Sequence, residues 1–218
     1  MRRRIPGVQI KCGLWLGVFA LLGACTQGVR LSGDDRAQLA GQPAIQMLNY
    51  ETPLPRIKSG VRNPPTPGAV HQHAAADPAT LIAQGFGRLL GKKEKLKNLR
   101  TETRPQPRPV ADNARHYRDK YRRGLVLELW VDEWGFTSLP ADTQSYAMTL
   151  KARSRLSRVE DGGVLWSTGR CHVDGNNSNR EHQLAGKELT GGIKLRKLLA
   201  AARDECARQL MRDFDARG

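Results

Sequence analysis

Leu125-Val126-Leu127-Glu128-Leu129-Trp130-Val131 is the stretch on which the fold turns. It is rich in strand-forming residue types, and Leu125, Leu127, Leu129 and Val131 share one face of an extended chain. Downstream, Tyr146, Met148, Leu150, Ala152 and Leu156 alternate with Thr149, Lys151, Arg153 and Arg155, the pattern of a strand with one wet face. Glu160-Asp161-Gly162-Gly163 supplies a turn, because glycine tolerates positive φ, and Val164 to Val173 reads as a third strand. Between Ile193 and Phe214, the residues Leu195, Leu199, Ala202, Cys206 and Leu210 fall on one stripe of a helix. The expected fold of residues 124–218 is therefore α+β: a small antiparallel three- to four-stranded meander with the C-terminal amphipathic helix packed on one face.

Upstream the composition changes. Ten of the twelve prolines lie between Pro43 and Pro109. Proline lacks a backbone donor and fixes φ, so residues 25–77 read as an extended Pro-rich tether. Residues 78–123 read as a basic helical or linker segment. Asp77-Pro78 suits an N-cap and first helical position, and Leu81, Ile82, Phe86, Leu89 and Leu90 recur at helical spacing. Gly85, Gly87 and Gly91 weaken that helix by roughly 1 kcal/mol each.

Charge is concentrated in the same segment. From Arg88 to Arg123 there are 13 basic and 4 acidic residues, a net of +9, against 14 and 13, a net of +1, from Gly124 onward. The candidate anionic-surface-binding residues are Arg88, Lys92, Lys93, Lys95, Lys97, Arg100, Arg104 and Arg108. Near an anionic membrane each such charge contributes about 1 kcal/mol. Two readings stand: a belt for a membrane or an anionic envelope polymer, and a solvated basic linker with no dedicated ligand.

The amino terminus carries Arg2, Arg3, Arg4 and Lys11, then the apolar run Leu14-Trp15-Leu16-Gly17-Val18-Phe19-Ala20-Leu21-Leu22. That run is shorter than the roughly 20 residues that span a bilayer. The tetrapeptide Leu22-Gly23-Ala24-Cys25 resembles the lipobox of bacterial lipoproteins. The resemblance implies a signal peptide over residues 1–24, cleavage before Cys25, a diacylglyceryl thioether on its sulfur and acylation (palmitate) of the new terminus. Two acyl chains already anchor stably. Thr26 stands where Asp would favour inner-membrane retention, so the resemblance implies the periplasmic side of the outer membrane. The alternatives are an ordinary secretory signal and a short amino-terminal anchor. Export disfavours nucleic acid as a partner.

Removing the signal leaves Cys171 and Cys206 besides Cys25. In an oxidising compartment the pair reads as a disulfide, and both periodicities place the sulfurs on the buried side. Two buried free thiols are the competing reading. Candidate chemistry is otherwise thin. His71-Gln72-His73 lacks a third ligand. Asp132 and Glu133 are strand neighbours that form no acid/base pair unless a bulge intervenes. Trp130 and Trp134 share parity, either as an aromatic binding patch or, as favoured, in packing against the amino-terminal helices. Asp174-Gly175-Asn176-Asn177-Ser178-Asn179 lacks the carboxylate count of a calcium loop. No cofactor and no metal site is nominated.

Three function classes follow. The first is a non-enzymatic interaction or structural lipoprotein of an envelope assembly, transport or secretion system. Its strand-strand-strand-helix order loosely resembles the small domains of transport-auxiliary and curli-secretion-type lipoproteins. The second is a module for lipid, lipopolysaccharide or peptidoglycan that uses the belt Arg88–Arg123. The third, ranked last, is a hydrolase whose site the sequence does not reveal.

Overall fold

Two fourteen-residue strands, Leu125–Ser138 and Ser145–Arg158, pair antiparallel along most of their length and form the spine of a larger sheet. The computed structural model describes residues 29–74, 76–102, 105, 113–167, 169–176 and 180–216. In chain order its helices are α1 (Gly33–Gln38), α2 (Pro67–His73), α3 (Pro78–Lys93), α4 (Asn113–Tyr121) and α5 (Ile193–Asp215). Its strands are β1 (Ile45–Asn49), β2 (Arg56–Lys58), β3 (Leu99–Thr101), β4 (Leu125–Ser138), β5 (Ser145–Arg158), β6 (Val164–Trp166), β7 (Arg170–Asp174) and β8 (Gln183–Ala185).

The fold is α+β, but the sheet is not a small antiparallel meander. It has eight strands of mixed direction, with the path β3-β1-β4-β5-β6. The segment read as a tether supplies β1 and β2, and both run parallel to β4. Prolines flank these strands rather than interrupt them. Pro43 precedes β1, while Pro53 and Pro55 end before Arg56. In β1, Ile45, Met47, Leu48 and Asn49 are buried, as befits a strand covered on both faces. β2 meets β4 at Gly135, where an added Cβ would fall 2.0 Å from the Arg56 carbonyl oxygen. Glycine is what lets the two backbones approach there.

Helices close both sides. α3 and α5 pack over one face, on a core that includes Met47, Leu127, Trp134 and Leu150 from the sheet. From the helices come Phe86, Leu199 and Leu210. Asp77 caps α3 by accepting from the Thr80 N–H at 2.8 Å, with Pro78 in the first turn. α3 also forms the crossover that a parallel β1–β3 pair requires. The opposite face carries a smaller cluster of Leu48, Val126 and Val159, covered by Tyr117 and Tyr121 of α4. A disulfide joins Cys171 of β7 to Cys206 of α5. Among the described residues no helix is long and apolar enough to cross a membrane.

Candidate functional site

The sheet divides the basic belt. Arg88 and Lys92 stand one turn apart on α3 and line an open groove of about 480 Å³ against β3. Gln84, Gly87, Gly91, Leu96, Leu99 and Thr101 complete its walls. The groove forms because α3 lies close to the sheet: a Cβ on Gly87 would meet Met47 Sδ at 3.0 Å and Thr101 Oγ1 at 3.1 Å. Lys93 turns the other way and pairs with Asp215. There it joins Arg36, which bonds Glu94 at 2.8 Å and Asp215 at 3.4 Å, so that corner is neutralised internally.

Lys95 ends α3 in the left-handed region (φ 53°), and the following Leu96 N–H returns to the Gly91 carbonyl at 3.0 Å. Lys95 and Lys97 are exposed in that connection. Arg100 pairs in register with Gln46, one residue out of phase with the inward Leu99 and Thr101, and so belongs to the opposite face. Exposed Arg115, Arg118, Lys120, Arg122 and Arg123 lie on or just after α4, on that opposite face as well. Arg104, Arg108 and Cys25 lie outside the described residues. Among the described residues, no ion pair engages Arg88, Lys92, Lys95, Lys97 or Arg100.

Under α4 sits a polar cluster that the sequence reading did not single out. Glu128, fully buried, receives Arg155 Nη2 at 2.6 Å and Nε at 2.7 Å. The Tyr50 hydroxyl donates to Glu128 Oε1 at 2.7 Å. A hydroxyl has one proton, so the Tyr117 hydroxyl, 2.8 Å away, donates to Tyr50. Burial, then the Glu128 charge, pushes both tyrosine hydroxyls well above their usual range. Desolvation lowers Arg155, but attraction to Glu128 outweighs it and leaves the guanidinium held more firmly protonated. Each charge here is spent on another member of the cluster, which makes it a clamp between α4 and the sheet. The available signal was a lone carboxylate within an apolar strand, at the parity of Val126.

A bulge corrects the reading of Trp130 and Trp134. Val131 pairs with Ala152 and Glu133 with Lys151, so Asp132 is an extra residue and side-chain parity changes there. Trp134 is buried with its N–H on the Pro53 carbonyl at 2.6 Å. Trp130 stays on the opposite face, under the Arg153 guanidinium at 5.4 Å. The bulge also puts Asp132 and Glu133 on one face, yet each is engaged by cations. Arg153 holds Asp132 bidentately at 2.6 and 2.7 Å. Lys151 (3.1 Å) and Arg56 (3.3 Å) hold Glu133, and the Lys151 hydrogen bond first of all keeps that carboxyl below the usual range.

The histidine pair leads to no ligand set: His71 packs 6.2 Å from Trp134, and no group of three metal-binding side chains occurs among the described residues. His182 is buried with Nε2 unpartnered, and desolvation lowers its pKa, with Glu181 and Glu205 opposing. The unfolded chain therefore binds a proton that the folded one resists. Stability should be full above the unfolded value near 6.5 and fall as pH drops below it. Urea midpoints measured from pH 7.5 to 5 should show that slope, and His182→Gln should flatten it. Equal slopes would remove His182 from the account.

No protein-family model matches the chain, and no curated protein matches it in sequence. Among solved structures the chain is similar to lipoprotein GNA1162 from Neisseria meningitidis, at 17% identity over 63% of this chain and 88% of that one, TM-score 0.34. It is similar to the PelC dodecamer from Paraburkholderia phytofirmans, at 16% identity over 76% and 90%, TM-score 0.30. A third similarity is to protein XCC0632 from Xanthomonas campestris, at 11% identity over 86% and 96%, TM-score 0.37. Similarities this distant transfer no residue, site or partner.

Proposed function

We propose that this chain is a lipoprotein anchored through Cys25 to the periplasmic side of the bacterial outer membrane. In this reading its folded part is a non-enzymatic interaction component of an envelope assembly, transport or secretion system. The observation that carries the anchor is Leu22-Gly23-Ala24-Cys25 closing a short apolar run behind four basic residues. The Cys171–Cys206 bridge supports it, because such bridges persist in oxidising compartments. An interaction role is supported by the polar clusters, whose charges are tied to one another: Arg155 to Glu128, Arg153 to Asp132 and Lys151 to Glu133.

A second reading rests on a different observation, the exposed cations Arg88, Lys92, Lys95 and Lys97, which no ion pair engages among the described residues. In it the folded part holds anionic lipid, lipopolysaccharide or peptidoglycan. Mild-detergent extraction separates the two: stoichiometric partner proteins favour the first, and salt-released lipid or glycan the second. For the anchor, cells are fed an alkyne-tagged fatty acid. The wild type should incorporate it, and Cys25→Ser should not and should leave the membrane fraction. Equal labelling of both would sink the lipoprotein reading.

A further inference from the structure

We infer that the outer edge of β3 takes up an extended acidic segment of a partner protein as an added strand. The inference deepens the protein-partner reading above and rests on it. β3 ends the sheet path, and among the described residues nothing pairs on its far side. The bonds that flank the β1–β3 ladder set its phase. The Ile45 N–H reaches the Asn98 carbonyl at 3.0 Å, and the Glu102 N–H reaches the Met47 carbonyl at 2.9 Å. Arg100 therefore turns its backbone groups to β1, while Leu99 and Thr101 turn theirs outward. An open row of amides and carbonyls is the template for strand addition.

The other side of the sheet is treated differently. At β7, the Arg170 N–H is taken by Asp213 at 3.0 Å and the His172 N–H by Gln209 at 2.7 Å. Gln209 also donates back to the His172 carbonyl at 3.0 Å. Side chains of α5 thus occupy that edge, and among the described residues no equivalent side chain occupies β3.

Beside the free edge runs the groove of about 480 Å³, with Leu96 and Leu99 half-buried in its wall and Arg88 and Lys92 at its rim. A strand added to β3 would turn alternate side chains into this groove. Small apolar side chains suit the space beside Gly91, where a Cβ would meet only ordinary contacts, at 3.7 Å and beyond. Charge selects the occupant. Lys95 and Lys97, exposed, stand in the chain on either side of the groove residue Leu96, and Arg100 projects from β3 to the other face. Nearby acids are engaged elsewhere: Asp204 feels Arg88 but is bonded to Arg203 at 2.8 Å, Glu94 is bonded to Arg36 at 2.8 Å, and Glu102 acts on Tyr121 on the α4 side. A second copy of β3 would bring the same cations and be repelled, whereas acidic residues on the incoming strand would meet them.

The test uses the full acylated chain in zwitterionic nanodiscs. The probe is an end-capped eight-residue peptide of alternating Glu and Val. Its controls are the same peptide N-methylated at alternate amides and, as a charge-only polyanion, heparin. The unmodified peptide should bind with micromolar affinity, more weakly at high salt, and should slow amide exchange at Leu99 and Thr101. N-methylation should weaken it about tenfold or more, the loss of one or two strand hydrogen bonds. Thr101→Pro, which removes one outward N–H, should do the same, and Arg100→Glu, on the face to which the glutamates turn when the valines fill the groove, should weaken binding about tenfold or more while leaving the thermal midpoint near that of the wild type.

Failure to bind, or equal binding of the methylated peptide and heparin without amide protection, overturns the inference; the latter outcome assigns the rim to an anionic polymer. Fatty-acid labelling is scored on the same sample. An unlabelled chain that binds the peptide overturns the anchor alone, and a labelled chain that ignores it overturns the edge alone.

Discussion

Arg155→Met is expected to lower the free energy of unfolding by about 3–5 kcal/mol, the cost typical of removing one partner from a buried ion pair. The survivor decides the magnitude. Glu128 is 0% exposed, and Arg155 supplies both of its charge-assisted contacts, at 2.6 and 2.7 Å. Without the guanidinium, the Tyr50 hydroxyl is the remaining donor to that carboxylate among the described residues. Arg155 itself is 25% exposed in its side chain, so it recovers some hydration when unpaired, and the reciprocal Glu128→Gln should cost less. Tyr50→Phe removes one hydrogen bond to a charge and should cost about 1.5–3 kcal/mol.

The informative variant is the double one. Glu128→Leu with Arg155→Met removes both charges and leaves apolar volume, and such exchanges are often neutral or stabilising. Chemical denaturation of the wild type, Glu128→Leu, Arg155→Met and the double variant closes a cycle whose coupling should be large and favourable. α4 should report first, because Tyr117 reaches the pair through Tyr50 and little else of that helix is apolar. An Arg155→Met protein within about 1 kcal/mol of the wild type would show that Glu128 is not held as a buried carboxylate.

That cluster also marks where the sequence stops being readable. Signals that act within a few residues were legible: Asp77-Pro78 opens α3, and the stripe Leu195, Leu199, Ala202, Cys206, Leu210 is the buried face of α5. Long-range pairing was not. Ile45 finds its partner at Leu125 and Arg56 at Gly135, separations over which periodicity carries no information. Proline density then concealed two short strands whose own residues contain none.

The bulge at Asp132 illustrates a second limit. Alternation reads faces only while pairing stays in register, and one extra residue separated Trp130 from Trp134. The belt was visible as charge, since charge needs no fold to be counted. Its division by the sheet, with Arg88 and Lys92 on one side and Arg100 on the other, depends on β3 having joined β1. Cys171 and Cys206 fared better because each sits on a locally readable face, a strand parity and a helix stripe that meet in space.

Loss of that bridge should be the other large effect. Cys171→Ala with Cys206→Ala is expected to lower stability by about 3–4 kcal/mol, from the chain entropy released when a closed loop of this order opens. The sequence separation is 35 residues, and the loop encloses the end of β7, β8 and the first half of α5. Alanine at both sites keeps the comparison clean, because a single substitution would strand one thiol in a core where Cys206 is 0% exposed. The native contacts around the bridge should survive. β7 stays hydrogen-bonded to β5, and Gln209 and Asp213 still hold its outer amides. The double variant should therefore fold to the same structure with a lower denaturant midpoint. A reductant should lower the wild-type midpoint by a similar amount and leave the variant unmoved. An equal response of both proteins would place the reductant's effect elsewhere, and an unmoved wild type, once its thiols are shown to be free, would mean that the bridge adds nothing to stability. A wild type whose bridge forms only after oxidant is added would also undercut the oxidising compartment on which the lipoprotein reading leans.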